Sequence, residues 1–420
     1  MARRSGASGA NLALVVALDC ITGLQTARIL AARGIPVVGL AADVRHFCAR
    51  TRVVREVIES PTSGDALIAT LERLGPRLAD PATGGPAVLV PCSDASVLTI
   101  SASRERLTPW YRFVLPAHDT VEMLMDKIRF TEHAQAHGLA IPSTRILRDR
   151  ADAESAAVEL DYPAVIKPGL KTVRWQTATR AKVFRVEDPT ELLTVYDRCS
   201  AWSDVLIAQA WVEGDEGELY SSNVYFDRAS QPQVTFVARK IRQWPVETGT
   251  SCLGEEVRND AVLDESLRLF GSVDYQGLGY LEMKRDARTG RHFIIEPNIG
   301  RPTGRSAIAE RGGVELLLTA YRDALGQPLP AARTQSYGGV KWIYWRHDLQ
   351  AALVAARRGR LSPLGWWRSV RGPKVEAVGS WRDPLPFLLD AWHTLAVIGG
   401  RRRRGKPTPR PTPGTAPGDA

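Results

Sequence analysis

The strongest constraint on this chain is the stretch from Gly277 to Arg305, GLGYLEMKRDARTGRHFIIEPNIGRPTGR, where carboxylates fall inside sequence that otherwise reads as buried strand. Leu278 to Met283 and His292 to Ile295 are two short apolar runs. They are joined by Asp286-Ala287-Arg288-Thr289-Gly290, a polar turn ending in glycine, and together they predict a β-hairpin. Glu282 lies on the first strand and Glu296 closes the second. Alternate residues of an extended chain share a face, so Glu296 and Asn298 point together and the hairpin can bring Glu282 beside them. Two carboxylates held close resist joint ionisation. A hard divalent cation such as Mg²⁺ neutralises them through oxygen ligands and completes its shell with phosphate oxygens and water, which makes a nucleotide the expected third party. The competing reading pairs Glu282 and Glu296 with Lys284, Arg301 or Arg305 on a solvated hairpin face.

At 420 residues the chain exceeds one typical core, and two or three domains are expected. Its 44% hydrophobic and 24% charged residues are those of a soluble globular protein. The five cysteines, Cys20, Cys48, Cys92, Cys199 and Cys252, are scattered without metal-ligand spacing, which fits a reducing cytoplasm. After Arg3 and Arg4, the apolar run Leu12 to Leu18 meets Asp19 at once, and so reads as a strand, not a signal peptide. Much of the net charge of +9 sits in Arg401 to Arg404, Lys406 and Arg410, within a Pro/Gly-rich tail expected to be disordered.

Leu12 to Leu18, a helix-periodic segment to Arg33, and Val37 to Ala41 form a βαβ opening. Its turn, Asp19 to Gly23, lacks the GxGxxG spacing that admits a pyrophosphate, which disfavours a dinucleotide cofactor. A further strand, Ala87 to Val90, ends in Ser93 and Asp94, which either line a crevice or cap the next helix. Met123 to His137 predicts one helix ended by Gly138, with Lys127 early on it. In the strand Tyr162 to Pro168, Lys167 sits in an apolar run and needs an anionic partner. Lys171, Arg174, Arg180 and Lys182 follow within one expected hairpin and offer a polyanion a cluster of cations. Val205 to Val212 is another strand, interrupted by Gln209.

Taken in order, Lys127 with GLAIPST, then YPAVIKP, LIAQAWVEG, VARKIRQ, YLEMK and IIEPN resemble the ATP-grasp superfamily, and within it the predicted carboxylate-amine ligases. The resemblance covers roughly residues 10 to 330. It implies an α/β (α+β) ATP-grasp fold: a Rossmann-like pre-ATP-grasp domain over 1–120, nucleotide-binding and catalytic parts over 121–330, a Trp-rich C-terminal region over 331–400 and the tail 401–420. It also implies ATP and Mg²⁺ as cofactors. Lys127 and Lys167 match the phosphate-binding lysines. Gln209 matches the hinge residue whose side chain meets the adenine amino group, and Trp211 and Val212 its flanking positions. Glu216 falls where a ribose-binding acid is expected, with Glu218 an alternative. Glu282, Glu296 and Asn298 match the metal ligands. Arg239 and Lys240 look like the cationic strand facing the transferred phosphate. The spacing after Asn298 departs from ExNxR by one residue, which leaves both Arg301 and Arg305 as candidates for the acyl phosphate or substrate carboxylate. The loop after Lys167 also lacks the relatives' glycine-rich flap.

The implied chemistry activates a carboxylate with ATP and passes the acyl group to an amine. Carboxylation through carboxyphosphate and a non-catalytic ATP-binding scaffold are the alternatives. The partners expected are a small-molecule acid and amine, with a homodimer as the default and no nucleic-acid module beside the arginine run. Toward the C-terminus, Gly338 to Trp345 predicts a strand, and Asp348 starts a helix to Arg358. Trp366, Trp367, Trp381 and Trp392 are expected to pack this region on the core. Phe387 to Ile398 is too short to span a bilayer. Beside its basic cluster, residues 385–410 give an alternative placement, peripheral at the inner face of an anionic membrane.

Overall fold

The computed structural model describes residues 10–79, 85–170, 172–246 and 249–403. Lys171, Thr248 and the tail from 404 onward, on which some of the expectations above fall, lie outside the described residues. The first sheet holds β1 (Ala13–Val16), β2 (Val37–Ala41), β3 (Glu56–Glu59), β4 (Ala87–Pro91) and β5 (Tyr111–Arg112), in the order β3-β2-β1-β4-β5, all parallel. It is the expected βαβ opening: β1 is wholly buried and the helix Ile21–Ala32 crosses over to β2.

A second sheet joins β6 (Thr144–Leu147), β7 (Ala164–Pro168), β8 (Phe184–Val186) and β9 (Leu206–Ala210) in the order β6-β9-β7-β8, antiparallel throughout. Helices Arg150–Glu159 and Pro189–Cys199 cover it and share a separate core around Ala156, Ile166, Trp175 and Leu192.

The largest sheet contains β10 (Leu219–Phe226), β11 (Pro232–Trp244), β12 (Thr250–Glu256), β13 (Gly277–Arg285), β14 (His292–Ile299), β15 (Lys341–Ile343) and β16 (Lys374–Glu376). Its order is β14-β13-β10-β11-β12-β15-β16. Leu281, Met283 and Ile294 on one face share a continuous core with Leu14 of the first sheet and with Val97 and Leu115 beside it, so these two sheets are packed as one body.

Several elements depart from the sequence reading. The helix expected over Met123 to His137 is two helices, His118–Met125 and Lys127–Ala136, because the Asp126 carboxylate accepts from the Ile128 and Arg129 amides and restarts the helix as an N-cap. The expected hairpin after Lys167 contains a short helix, Val173–Ala178, capped by Thr172 and pinned by the buried Trp175. Asp348 does not start its helix. That helix begins at Trp345, and Asp348 lies inside it, fully buried.

The C-terminal tryptophans largely fail to pack as expected. Trp366 is half-buried, but Trp367 is 48%, Trp392 71% and Trp381 fully exposed. What ties this region to the first sheet is Ala377 and Val378, which join its buried core, together with polar contacts. Arg28 pairs with Asp383 at 2.9 Å, and Asp383 also accepts from the Thr51 hydroxyl at 2.5 Å. The helix Leu385–Arg403 carries the first arginines of the stretch expected to be disordered, and no helix among the described residues is long and apolar enough to cross a membrane.

Candidate functional site

The turn between β13 and β14 forms for a local reason. The Asp286 carboxylate accepts from the Arg288 and Thr289 amides, and Gly290 takes φ +72° to close the loop. From there the strands pair Glu282 with Glu296 directly, and Tyr280 with Asn298. The register then slips by one residue, since Met283 faces Ile294 and Ile295 is the extra residue of a β-bulge. This slip decides the chemistry. Simple alternation from the buried Ile294 would put Glu296 in the apolar core, whereas the bulge turns it to the face carrying Glu282, and Asn298 follows two residues later.

On that face the charges are close but not closed. Glu282 lies 3.9 Å from Lys240 Nζ and 3.8 Å from Arg305 Nη2, and Arg305 also donates to Ser221 Oγ at 3.2 Å. Among the described residues Glu296 has no ion-pair partner. Its edge is open to solvent, yet the protein massed around the carboxyl, and then the Glu282 charge, raise it above the ordinary carboxylate range. Lys127 and Arg301 act on it in the opposite direction. The competing expectation is met in part, since Arg305 does pair with Glu282, but Lys284 is not brought in: its Nζ donates to the Val212 carbonyl at 2.8 Å and lies 5.2 Å from the Trp211 ring centre.

Lys167 comes from the end of β7 and meets this cluster across the cleft. Burial, and then repulsion from Lys127, push its ammonium down to about 8, while Glu296 pulls the other way. Its Nζ donates to Gln209 Oε1 at 2.9 Å, and Gln209 Nε2 donates to Thr144 Oγ1 at 2.9 Å. Both ends of the Gln209 amide are therefore engaged, one by the lysine and the other by Thr144. Glu216 sits in a short 3₁₀ turn and accepts from the Gln243 amide at 3.1 Å, while Glu218 reaches Arg285 at 3.4 Å.

Arg301 links the site to the first sheet. Its guanidinium donates to Asn298 Oδ1 at 2.8 Å, to the Tyr280 hydroxyl at 3.1 Å and to Asp94. Of the two expectations for the end of β4, both are met: Ser93 makes a capping box with Ser96, and Asp94 faces the cleft residue Arg301. Arg239 is not brought in. Successive strand residues face opposite ways, so Lys240 meets Glu282 while Arg239 pairs with Glu255 at 2.5 Å. Of the flap cations, Arg174 pairs with Asp204 and Arg180 is exposed.

Tyr280 and Ser221 were missed by sequence reasoning. Tyr280 precedes Glu282 by two residues and was legible by alternation, whereas Ser221 depends on the pairing of β10 with β13. Two carboxylates and an amide oxygen form a hard-oxygen donor set that suits Mg²⁺. Among the described residues no group of three or more His, Cys, Asp or Glu is gathered as a richer metal cluster.

No model of a protein family matches the chain. By sequence it is similar to the D-aspartate ligase of Enterococcus faecium, 22% identical over 229 residues that make up 52% of this chain and 54% of the relative. It is also similar to a D-alanine–D-alanine ligase of Halorhodospira halophila, 28% identical over 193 residues, 41% of this chain and 56% of the relative. The chain thus spans about half the length of the curated relatives it matches. Among solved structures, N5-carboxyaminoimidazole synthetase from Staphylococcus aureus superposes with a TM-score of 0.59 at 14% identity, over 77% of this chain and 78% of that chain. Biotin carboxylase from Campylobacter jejuni, in a β,γ-ATP complex, gives a TM-score of 0.61 at 13% identity, over 78% and 74% of the two chains.

Proposed function

We propose, on the premise that this chain belongs to the ATP-grasp superfamily, that it couples a carboxylate to an amine with ATP as the driving reagent. The observation that carries the reading is the cross-strand pair of Glu282, approached by Lys240 and Arg305 only at 3.9 and 3.8 Å, and Glu296, which has no ion-pair partner among the described residues and faces Lys127 and Lys167. Glu282, Glu296 and Asn298 would hold Mg²⁺, which supplies charge neutralisation for nucleotide phosphates. Lys127 and Lys167 bind those phosphates, and Gln209 braces Lys167. Trp211 and Val212 line the base, with Glu216 favoured over Glu218 for the ribose because it lies toward Lys240.

A substrate carboxylate oxygen attacks the γ-phosphorus and ADP leaves. The amine nitrogen then attacks the acyl carbon, phosphate departs and the amine proton is lost to solvent. Lys240, Arg301 and Arg305 are placed to hold the developing negative charge, so the site works by positioning and electrostatics without a protein nucleophile. Residues 121–330 carry this chemistry, while 1–120 and 331–400 shape the acid and amine pockets. The named relatives join amino acids, so amino acids are the first acids and amines to screen. Cytoplasmic placement accompanies such substrates.

The test is ADP release with Mg·ATP across amino-acid pairs, with bicarbonate alone as a separate arm. Release that requires both acid and amine supports ligation. Release with bicarbonate and no organic acid would instead favour carboxylation, the chemistry named for the solved neighbours. No release with any pair, despite a magnesium-dependent ATP thermal shift, would leave a nucleotide-binding scaffold.

A second reading concerns location and rests on exposed Trp381, Trp392, Phe387 and Leu388 ahead of the arginine run. If this face docks on anionic lipid, Trp392→Ser with Leu388→Ser abolishes co-sedimentation with acidic vesicles. Sedimentation that is unchanged, or absent from the wild type, rejects the reading.

A further inference from the structure

Away from the cleft, three arginines from separate segments converge, and among the described residues none is paired with a counter-charge. Arg104 opens the short helix Arg104–Leu107, Arg112 lies in β5, and Arg228 sits in the turn between β10 and β11. Together with Thr108, Tyr111 and Phe113 they line a cavity of about 440 Å³. Among the described residues each guanidinium donates only to backbone carbonyls. Arg104 Nη2 bonds Leu115 O at 3.0 Å and Pro116 O at 2.6 Å, and Arg112 Nη1 bonds Thr108 O at 2.7 Å and Tyr111 O at 2.9 Å. Arg228 Nη2 bonds Ala324 O at 3.2 Å.

Among the described residues none of the three makes an ion pair. The nearby acids are already engaged: Asp227 accepts from the Ala229 and Gln231 amides and from Gln233, and Asp323 accepts from the Tyr225 hydroxyl. Burial, and then repulsion from Arg228, lower the proton affinity of Arg104. Guanidinium groups that are anchored by one nitrogen and left with others free form a fork suited to oxyanions.

We propose that this cavity is a second ligand site, binding a small multiply charged oxyanion, either a phosphate ester or a polycarboxylate. It is separate from the cleft. Six of the eight residues of β10, Ser221 to Phe226, run between the Glu282 neighbourhood and the turn that carries Arg228. At roughly 3.3 Å per residue that is a span of about 20 Å. The site also bridges a seam. The segment after Phe113 presses on the start of β13, where a Cβ on Gly277 would meet the Val114 carbonyl at 2.3 Å, and a Cβ on Gly300 would meet the Leu115 side chain at 2.7 Å. An anion held by Arg104, Arg112 and Arg228 therefore braces the first sheet against the largest one.

The experiment is calorimetric titration of the full chain with pyrophosphate and with citrate, in magnesium-free buffer, alongside thermal melts. Binding of one probe with a rise in melting temperature is expected. The preference between the two distinguishes a phosphate ester from a polycarboxylate. Arg228→Gln, at an exposed position where misfolding is not expected, should weaken binding by about tenfold, and Arg104→Gln by at least as much. Lys167→Met should leave it unchanged, which separates this cavity from the phosphate-binding end of the cleft. No binding of either probe at millimolar concentration overturns the proposal. So does binding that survives Arg228→Gln with Arg104→Gln, or that is lost in Lys167→Met.

Discussion

Lys240 and Arg242 stand two residues apart on the same strand, both buried and both cationic, yet they serve opposite ends. Lys240 pairs with Gly254 and Arg242 with Leu253, so Ile241 is an extra residue that turns the two side chains to opposite faces. Arg242 enters the C-terminal core. There it meets Asp348 at 2.7 Å and Ser369 at 2.8 Å, while Trp366 donates to the second Asp348 oxygen at 2.9 Å. One nitrogen, Nη2, has no partner among the described residues. Lys240 reaches its acid, Glu282, only at 3.9 Å. The Arg242 pair is closed to hydrogen-bond distance. The Lys240 pair is held a little too far apart, and on the proposed function it keeps its capacity for a third body.

The largest expected effect breaks the closed side. Asp348→Ala strands the buried Arg242 guanidinium and should cost about 3–5 kcal/mol of unfolding free energy, read from urea melts. A loss below about 1 kcal/mol would mean that the pair is not what organises this region. Next comes the open side. Glu296→Gln keeps the shape and removes the repulsion with Glu282, so stability should hold or rise. ADP release should fall by about a hundredfold, or about 2.7 kcal/mol in barrier. If the melting point drops together with the activity, Glu296 is structural and the contrast fails.

The sequence showed the hairpin because its signals are local: two apolar runs, a carboxylate at Asp286 and a glycine at the φ-positive corner. The resemblance, not a local pattern, implied that Lys127 and Lys167 share a neighbourhood with Glu282, Glu296 and Asn298. The two bulges were not legible. Ile295 and Ile241 look like ordinary strand residues, and only the partner strand reveals which one is extra. Arg239 rests on the resemblance alone, and strand alternation turns it to Glu255, away from the face that Lys240 shares with Glu282. Asp126 was overlooked as a cap in the middle of a helical pattern. The C-terminal tryptophans show the limit of composition, since hydrophobicity gives a preference for burial but not a surface to be buried against. The anion cavity draws on three segments that are unremarkable apart and converge only in space.

A third test sharpens the open side through pH. With Lys167 pushed down to about 8, it is mostly charged at neutral pH and mostly neutral one unit above that value. Bound phosphates favour the ammonium, so nucleotide binding near pH 8 should take up a proton. The affinity for Mg·ATP should fall by about tenfold from pH 7 to pH 9. Calorimetry in two buffers of different ionisation enthalpy measures that proton directly. An affinity that rises with pH would rule out Lys167 as the titrating phosphate ligand.

The smallest effect belongs to Lys284, the lysine expected beside the carboxylates and found instead at the hinge. Its bond to the Val212 carbonyl and its place over the Trp211 ring fix the segment proposed to cradle the base, at a distance from the transferred phosphate. Lys284→Met keeps the stem and removes the donor and the charge. It should raise the KM for ATP about threefold, as expected for one hydrogen bond and one half-exposed cation–π contact, and leave kcat unchanged. A fall in kcat at unchanged KM would instead put Lys284 among the charges that act on the reacting phosphate. It would then stand with Lys240 on the open side of the comparison.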